Sequence, residues 1–304
     1  FVDELVARAP ELPRWEFYSY RVAEPERVHE TIAGRVGVEV ADLCAVMTPG
    51  RFRRIDCTFS CADAHRISAE RLQHLAFVAA ETIFGERGLD HWVGVIEGAE
   101  LDLEELIPLP EILTRFEALQ RELRAQAPEL PCHAWVGEAE HTLLKLEPPE
   151  APDYVAQDDL LSVVTADVEL WEAAWSGAPF ASERFSRNQE VFAYLKLELP
   201  GDAEQQLAKR REIEGALSAV LEPASLAGVF ATGLGRRYSY LYLALTEVEA
   251  AWQTMAPILR DHEVPRRSWL LFCDTDLCGE WLAPWPDAPP PPQPEAEPEP
   301  EPEE

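Results

Sequence analysis

The stretch from Glu190 to Asp274 decides the fold. It opens with Val191-Phe192-Ala193-Tyr194-Leu195-Lys196-Leu197, in which small and aliphatic side chains alternate with aromatic and charged ones. This period of two places the two sets on opposite faces of a β-strand. The order predicted for the whole stretch is strand, helix, strand, strand, helix, strand. The later elements are expected at Leu207–Leu221, Leu226–Thr232, Arg237–Leu245, Val248–Leu259 and Ser268–Cys273.

Gly233-Leu234-Gly235 separates the two middle strands. Glycines between two strand patterns predict a hairpin turn. A dinucleotide-binding loop would need a third glycine and would lead into a helix, whose N-terminus holds the pyrophosphate. We therefore predict a turn here and no cofactor.

The predicted order of elements resembles that of ferredoxin-like domains (βαββαβ). Within it, Arg236 to Leu243 resembles the longer signature of RNA-recognition-motif domains, and Val191-Phe192-Ala193 resembles the start of the shorter one. Arg237 replaces the glycine of that pattern, and Leu243 replaces its final aromatic residue. The arrangement also resembles the regulator of ribonuclease activity B family and related bacterial domains. That resemblance implies at most a non-catalytic regulator that binds another protein.

Aromatic side chains are expected to share the sheet face that the two helices leave uncovered. By the RNA-recognition-motif resemblance, Phe192, Tyr238 and Tyr240 would stack on bases and Arg236 would contact phosphate. Alternatively, the same face packs against Trp171, Trp175 or the N-terminal domain and needs no ligand. The candidate binding platform consists of Phe192, Tyr194, Tyr238, Tyr240, Tyr242, Arg236 and Arg237.

The chain as a whole is predicted to be an α+β protein with two small α/β-sandwich domains. The parts are an N-terminal α+β domain (1–100), a helix, strand and Pro-rich linker (101–157), the ferredoxin-like domain (158–286) and a disordered Pro/Glu tail (287–304). In the first part, Ser68 is a candidate N-cap for a helix that ends at Gly85.

The net charge of −30 limits the choice of partners. The segment from Ala283 onward holds seven acids and no Lys or Arg, which leaves −23 on residues 1–282. Such a field repels nucleic acid and anionic membranes and attracts basic proteins. Alternatively, the charge serves only solubility. We expect a basic protein as partner and no membrane contact, because no apolar run reaches the roughly 18 residues of a membrane span.

Cysteine and histidine spacing gives no metal site. In Cys57-x3-Cys61-x3-His65, the two cysteines lie on one strand, about 13 Å apart at the usual rise per residue. Ligands of one zinc ion must lie much closer. The six cysteines do not suggest a disulfide framework, so we expect reduced thiols and a cytoplasmic location.

No familiar catalytic motif occurs in the sequence, and no catalytic residue is predicted. We expect an acidic, cytoplasmic bacterial protein that acts by binding, as a regulator, inhibitor or immunity-type factor. The first alternative is a single-stranded RNA-binding protein that uses the aromatic platform. The second is a hydrolase without a recognisable motif, which would require a deep pocket with convergent carboxylates.

Overall fold

The computed structural model describes residues 20–101, 106–135 and 141–293. The chain divides into two compact units, Phe1–Ala127 and Pro128–Glu304. Both units combine helices with a β-sheet, which confirms the α+β class predicted from the sequence.

The N-terminal unit contains four strands and three α-helices within its described residues. Its strands are β1 (Cys44–Pro49), β2 (Ile55–Ser60), β3 (Val93–Gly98) and β4 (Ile107–Pro108), and its helices are α1 (Val28–Val36), α2 (Ala69–Trp92) and α3 (Leu109–Arg124). The sheet order is β3-β2-β1-β4. β1 pairs antiparallel with both neighbours, whereas β2 and β3 are parallel. Helices and sheet share one apolar core that includes Ile32, Leu75 and Phe116.

Helix α2 begins as predicted but extends further. The Ser68 hydroxyl accepts a hydrogen bond from Arg71 N at 3.4 Å, so Ser68 is the N-cap. Gly85 has a φ of +69° and interrupts the helix, which then continues to Trp92. A Cβ atom at Gly85 would lie 2.7 Å from Ala23 N, so glycine is required there by close packing as well as by φ.

The C-terminal unit is built on a seven-stranded antiparallel sheet. Its strands are β5 (Thr142–Lys145), β6 (Leu160–Thr165), β7 (Val191–Leu197), β8 (Ala227–Gly235), β9 (Ser239–Leu245), β10 (Ser268–Phe272) and β11 (Trp281–Leu282), in the order β11-β10-β7-β9-β8-β6-β5. Its helices are α4 (Val168–Trp175), α5 (Ala203–Leu221) and α6 (Val248–Asp261). α5 connects β7 to β8, and α6 connects β9 to β10. One face of the central strands packs with these two helices, through residues such as Leu195, Leu243 and Met255.

The turn between β8 and β9 lies later than predicted. β8 runs through Gly235, and the chain reverses over Arg236–Tyr238, where Gly235 N donates to Tyr238 O at 2.8 Å. The glycines serve close approach instead. A Cβ atom at Gly235 would lie 2.2 Å from the Asp159 carboxylate, and one at Gly233 would lie 2.7 Å from Leu160 Cδ2.

The segment 101–157, expected to link the domains, contributes to both units. α3 belongs to the N-terminal core, because its apolar side chains, among them Phe116 and Leu123, are buried there. β5 extends the C-terminal sheet by pairing with β6. A helix with an apolar face must pack that face against a core, so α3 is part of the N-terminal unit and not of a linker.

The start of the expected tail also packs on the C-terminal unit. Trp269 Nε1 donates to Pro289 O at 2.7 Å, and Arg266 Nε lies 3.2 Å from Asp287 Oδ1. Residues 294–304 of this segment lie outside the described residues. Over the part of the chain that the structure covers, no helix is both long enough and apolar enough to cross a membrane.

Candidate functional site

The structure brings the predicted platform aromatics together on one face of the C-terminal sheet. β7 and β9 are neighbours, and Tyr194 pairs with Tyr242 in their register. The Tyr194 ring centroid lies 5.9 Å from that of Tyr242 and 6.2 Å from that of Tyr240. Phe192 meets Phe230 of β8 edge to face at 5.4 Å. This is the face opposite the one that packs with α5 and α6.

The aromatic face is nevertheless buried, which corrects the prediction of a binding platform. Tyr238, Tyr240 and Tyr242 have no exposed surface, and Phe192 and Tyr194 expose 1% and 5%. A base needs an accessible ring face to stack on. The burial agrees with an internal packing face, although the hydrogen-bond acceptors of the tyrosines lie in residues 153–159 and not in the N-terminal domain.

The cover is supplied by residues 153–159, which we call the covering segment. Its side chains accept hydrogen bonds from the tyrosine hydroxyls. Tyr242 donates to Gln157 Oε1 at 2.6 Å, Tyr238 to Asp153 Oδ1 at 2.7 Å, and Tyr240 to Asp159 Oδ1. Gln157 Nε2 in turn donates to Ala174 O of α4 at 3.4 Å. Each of these three phenols therefore keeps a partner when its ring is removed from water.

Electrostatics keep these tyrosines protonated. Burial raises the pKa values of Tyr240 and Tyr242 well above their ordinary value, and the nearby Asp159 carboxylate adds to the rise at Tyr240. A protonated phenol is a hydrogen-bond donor and not a base. The face therefore acts as a structural layer rather than as a source of catalytic phenolate.

Arg236 and Arg237, the basic end of the predicted platform, are held by carboxylates and carbonyls. Arg237 Nε donates to Glu198 Oε1 at 2.7 Å, and this hydrogen bond raises the Arg237 pKa. Arg236 Nη1 lies 3.6 Å from Glu150 Oε1, and its Nη2 donates to Pro148 O at 3.2 Å. Neither guanidinium is therefore arranged as an isolated phosphate contact.

The sequence analysis did not identify two buried charged residues that lie beside these aromatic rings. Lys196 is fully buried, donates to Tyr154 O, and has its Nζ 4.2 Å from the Tyr238 ring centroid. Asp159 is also fully buried and accepts from the backbone N–H groups of Arg237 and Tyr238 at 2.8 and 2.9 Å. Lys196 lies in an alternating strand pattern, where a polar residue normally indicates the solvent-exposed face, and Asp159 lies just before β6, so the sequence did not indicate that either is buried.

The described part of the N-terminal unit contains a cavity. This N-terminal cavity has a volume of about 650 Å³. Its residues come from α1, β1, β2 and the chain around β4. Those that bear on chemistry are His29, Asp42, Cys44, Ser60, Cys61, His65 and Glu100.

The two thiols of the N-terminal cavity are not activated. Burial raises the pKa of Cys44 and that of Cys61, and the negative charge of Asp42 adds to the rise at Cys44. Cys44 Sγ donates to Ser60 O at 3.5 Å, as a protonated thiol does. Since the thiolate is the reactive form, this pair is not poised for nucleophilic catalysis.

The metal-ligand types among these side chains do not gather around one point. Cys61 and His65 line the cavity, whereas Cys57 is buried in the apolar core. Within the described ranges, no three His, Cys, Asp or Glu side chains are grouped closely enough to hold a metal ion. Cys61 and His65 could be associated with each other from their spacing in the sequence. Asp42 and Glu100, which also line the cavity, could not, because they are distant in sequence.

A second cavity of about 410 Å³ lies in the C-terminal unit, beside Cys273 and Asp274. The Asp274 carboxylate is held by hydrogen bonds within the protein. Its Oδ1 accepts from Ser182 N at 2.7 Å, and its Oδ2 accepts from the Ser182 hydroxyl. Burial raises the Cys273 pKa. These groups therefore support the loop between β10 and β11 and are not free for chemistry.

Comparison of the chain with protein-family models, with curated proteins and with solved structures finds no match.

Proposed function

We propose that this protein is a non-catalytic regulator, of the inhibitor or immunity type, whose acidic C-terminal unit binds a basic protein. The observation that carries the proposal is the arrangement of charge in that unit. Its positive side chains are largely engaged inside the molecule, whereas many of its carboxylates face solvent.

Three of the cations are buried. Lys196 and Arg184 have no exposed surface, and Arg210, exposed by 6%, donates to Gly233 O at 2.6 Å. Burial lowers the pKa values of Lys196 and Arg210 because it disfavours their charged forms. These three side chains are therefore not available to contact a partner.

The arginines at the loop tips are paired with carboxylates. Arg267 binds Asp153 and also lies 3.2 Å from Glu198, which is shared with Arg237. Arg266 and Arg236 are paired with Asp287 and Glu150. This arrangement supports local charge compensation as the role of these arginines.

Acidic residues outnumber basic ones by 33 to 12 from Pro128 to the C-terminus. Glu204, Glu222 and Glu249 are exposed on or beside α5 and α6. A surface of one sign speeds encounter with partners of the opposite sign and disfavours like-charged ones. A basic protein is the partner that fits, and RNA is not, since its backbone would be repelled and the tyrosine rings are covered.

The fold assignment is part of the same proposal. The order β10-β7-β9-β8, with α5 and α6 as the two connections, supports a ferredoxin-like core. We propose a similarity to the regulator of ribonuclease activity B family at this level, together with a cytoplasmic location. Fold similarity alone assigns no partner, so the charge distribution carries the functional argument.

A salt-dependent capture experiment with charge variants tests the function. The full chain is immobilised and exposed to cell lysate at 50 and 500 mM NaCl. The first variant combines Glu204→Gln, Glu222→Gln and Glu249→Gln. The matched control combines Glu70→Gln, Glu111→Gln and Glu117→Gln, which remove the same charge from exposed positions of the N-terminal unit.

We expect the wild type and the control to capture the same basic protein at 50 mM NaCl. The first variant should capture several-fold less of it, and 500 mM NaCl should release it, because salt screens exposed charges. Capture that is equal in all three proteins, or that yields no basic protein above background, contradicts the proposal. Capture of RNA that is lost in Tyr240→Ala would favour the nucleic-acid alternative.

A further inference from the structure

We propose that the N-terminal cavity binds a small organic cation with an apolar body, such as an aromatic or alkyl amine. The site lies wholly in the N-terminal unit and is independent of the acidic helices of the C-terminal unit. The proposed cation site can therefore be confirmed or refuted separately from the proposed protein-binding function.

The size and the inner surface of the cavity suit an apolar body. Its volume of about 650 Å³ lies within the range of small-molecule sites, roughly 300 to 1,000 Å³. Leu43, Cys61 and Ala64 are buried and form the inner surface. Leu101, Leu106 and Leu109 are half-buried and line the sides. Removing an apolar ligand from water against such side chains is favourable.

The charge around the cavity selects a cation. Asp42 and Glu100 are exposed lining residues, and no Lys or Arg is among the described residues of the lining. An anion would meet two carboxylates with no compensating charge, whereas an ammonium group can bind either of them. The long-range field of the chain, which is strongly negative, acts in the same direction.

The thiols make the site apolar rather than metal-binding. Cys44 and Cys61 have raised pKa values because of their burial, so both remain neutral S–H groups. A neutral thiol behaves as a small apolar side chain with weak hydrogen-bonding capacity. Metal ligation requires the thiolate and a grouped set of ligands, and the described part of the chain groups no such set.

Calorimetric titration of the full chain with three matched probes tests the class of ligand. 1-Naphthylmethylamine has the apolar body and the cation, 1-naphthoic acid has the same body with an anion, and methylamine has the cation without the body. The titrations are run at 150 mM NaCl and pH 8, where imidazole side chains are generally neutral. We expect one saturable site for the naphthyl amine and at least tenfold weaker binding of the other two probes.

Four variants locate that site. Ala62, an exposed lining residue, is replaced in Ala62→Trp to fill the cavity, and we expect at least a tenfold loss of affinity for the naphthyl amine. Asp42→Asn and Glu100→Gln should each weaken binding about 2- to 5-fold, the effect of one exposed ion pair. Glu117→Gln, an exposed position of α3 outside the lining, should leave the affinity unchanged.

Thermal unfolding of each variant verifies that the N-terminal unit is intact. Binding of the naphthyl amine that is unchanged in a folded Ala62→Trp variant overturns the proposal, because the probe would then sit elsewhere on the acidic surface. Equal binding of the amine and the naphthoic acid also overturns it, since charge would then play no part. A loss that is equal in Asp42→Asn and Glu117→Gln would place the cation away from the cavity.

Discussion

At the scale of single residues, Asp159 holds the covering segment to the turn between β8 and β9. Its carboxylate accepts hydrogen bonds from the Tyr240 hydroxyl and from the N–H groups of Arg237 and Tyr238. Asp159→Ala would remove this acceptor from all three donors, and the Tyr240 hydroxyl would keep only its 3.4 Å hydrogen bond to Ala156 O. We expect it to lower the free energy of unfolding by about 2 to 4 kcal/mol, measured by urea denaturation.

Asp158 provides the matched control, because it is the neighbouring aspartate and is exposed. We expect Asp158→Ala to change the free energy of unfolding by less than about 0.5 kcal/mol. A similar small effect for both variants would show that the Asp159 hydrogen bonds do not hold the cover in place.

Also at the scale of single residues, Lys196 should make the free energy of unfolding depend on pH. Burial lowers its pKa to about 8, from an ordinary value of 10.5. The unfolded chain therefore binds more protons at this position between pH 8 and 10.5, so the penalty for burying Lys196 is complete below pH 8 and declines as the pH rises. Lys196→Met lacks this penalty. We expect its stability relative to wild type to fall by about 2 to 3 kcal/mol from pH 7 to pH 10.

Comparison with wild type at each pH is essential, because other buried groups titrate with the opposite sign. Burial raises the pKa of Cys57 to about 12, so its contribution to stability is lost above the ordinary thiol value near 9. This loss is common to both proteins and cancels in the difference. Lys209→Met, which removes a lysine from the surface of α5 that lies 3.1 Å from Glu212, is the matched surface control. A flat difference for Lys196→Met would mean that its charge is solvated in the folded protein.

At the scale of secondary-structure elements, two glycines should respond to alanine with opposite signs. A Cβ atom at Gly235 would meet the Asp159 carboxylate at 2.2 Å, whereas one at Gly215 on α5 would meet nothing within 4 Å. We expect Gly235→Ala to lower the free energy of unfolding by about 1 to 3 kcal/mol through displacement of the covering segment. Gly215→Ala should raise it by about 0.5 to 1 kcal/mol, because alanine favours the helix. Urea denaturation of both variants measures this, and a stabilising Gly235→Ala would refute the close approach.

Several strands and helices of the C-terminal unit could be predicted from the sequence. β7, α5, β9 and α6 each carry their own periodicity, so their existence and order follow from residues that are adjacent in the chain. The face that Tyr194, Tyr240 and Tyr242 share follows from the same alternation and is also observed. Local patterns therefore predicted the elements of the central sheet correctly.

The cover over that face could not be predicted in this way. The covering segment has no regular period, and its contact between Asp153 and Tyr238 joins residues 85 positions apart. Gly235 was interpreted as a turn residue for the same reason, since its neighbour Asp159 is distant in sequence. The N-terminal cavity likewise assembles residues from four separate stretches of chain. Long-range polar contacts leave no signature in a single sequence.

At the scale of the whole molecule, the net charge lowers the stability of the folded state, whereas burial of the apolar core raises it. The sheet and its helices bury a continuous apolar core, while the chain carries a net charge of −30. Like charges brought together on folding repel one another and lower the stability of the compact state. Positive side chains that are buried or paired, such as Lys196 and Arg267, compensate this repulsion only locally.

Salt should therefore stabilise the C-terminal unit. Raising NaCl from 20 to 300 mM shortens the screening length to below about 10 Å, which weakens repulsion between separated carboxylates more than the close ion pairs. Seven of the nine tryptophans lie from Pro128 onward, so tryptophan fluorescence reports mainly on this unit. We expect its urea midpoint to rise, which corresponds to an increase of about 1 to 2 kcal/mol in the free energy of unfolding.

The variant that combines Glu204→Gln, Glu222→Gln and Glu249→Gln should be more stable than wild type at 20 mM NaCl, and its stability should change less with salt. A midpoint that falls with salt would instead mean that ion pairs such as Arg267 with Asp153 outweigh the repulsion, and the case for an exposed acidic binding surface would weaken with it.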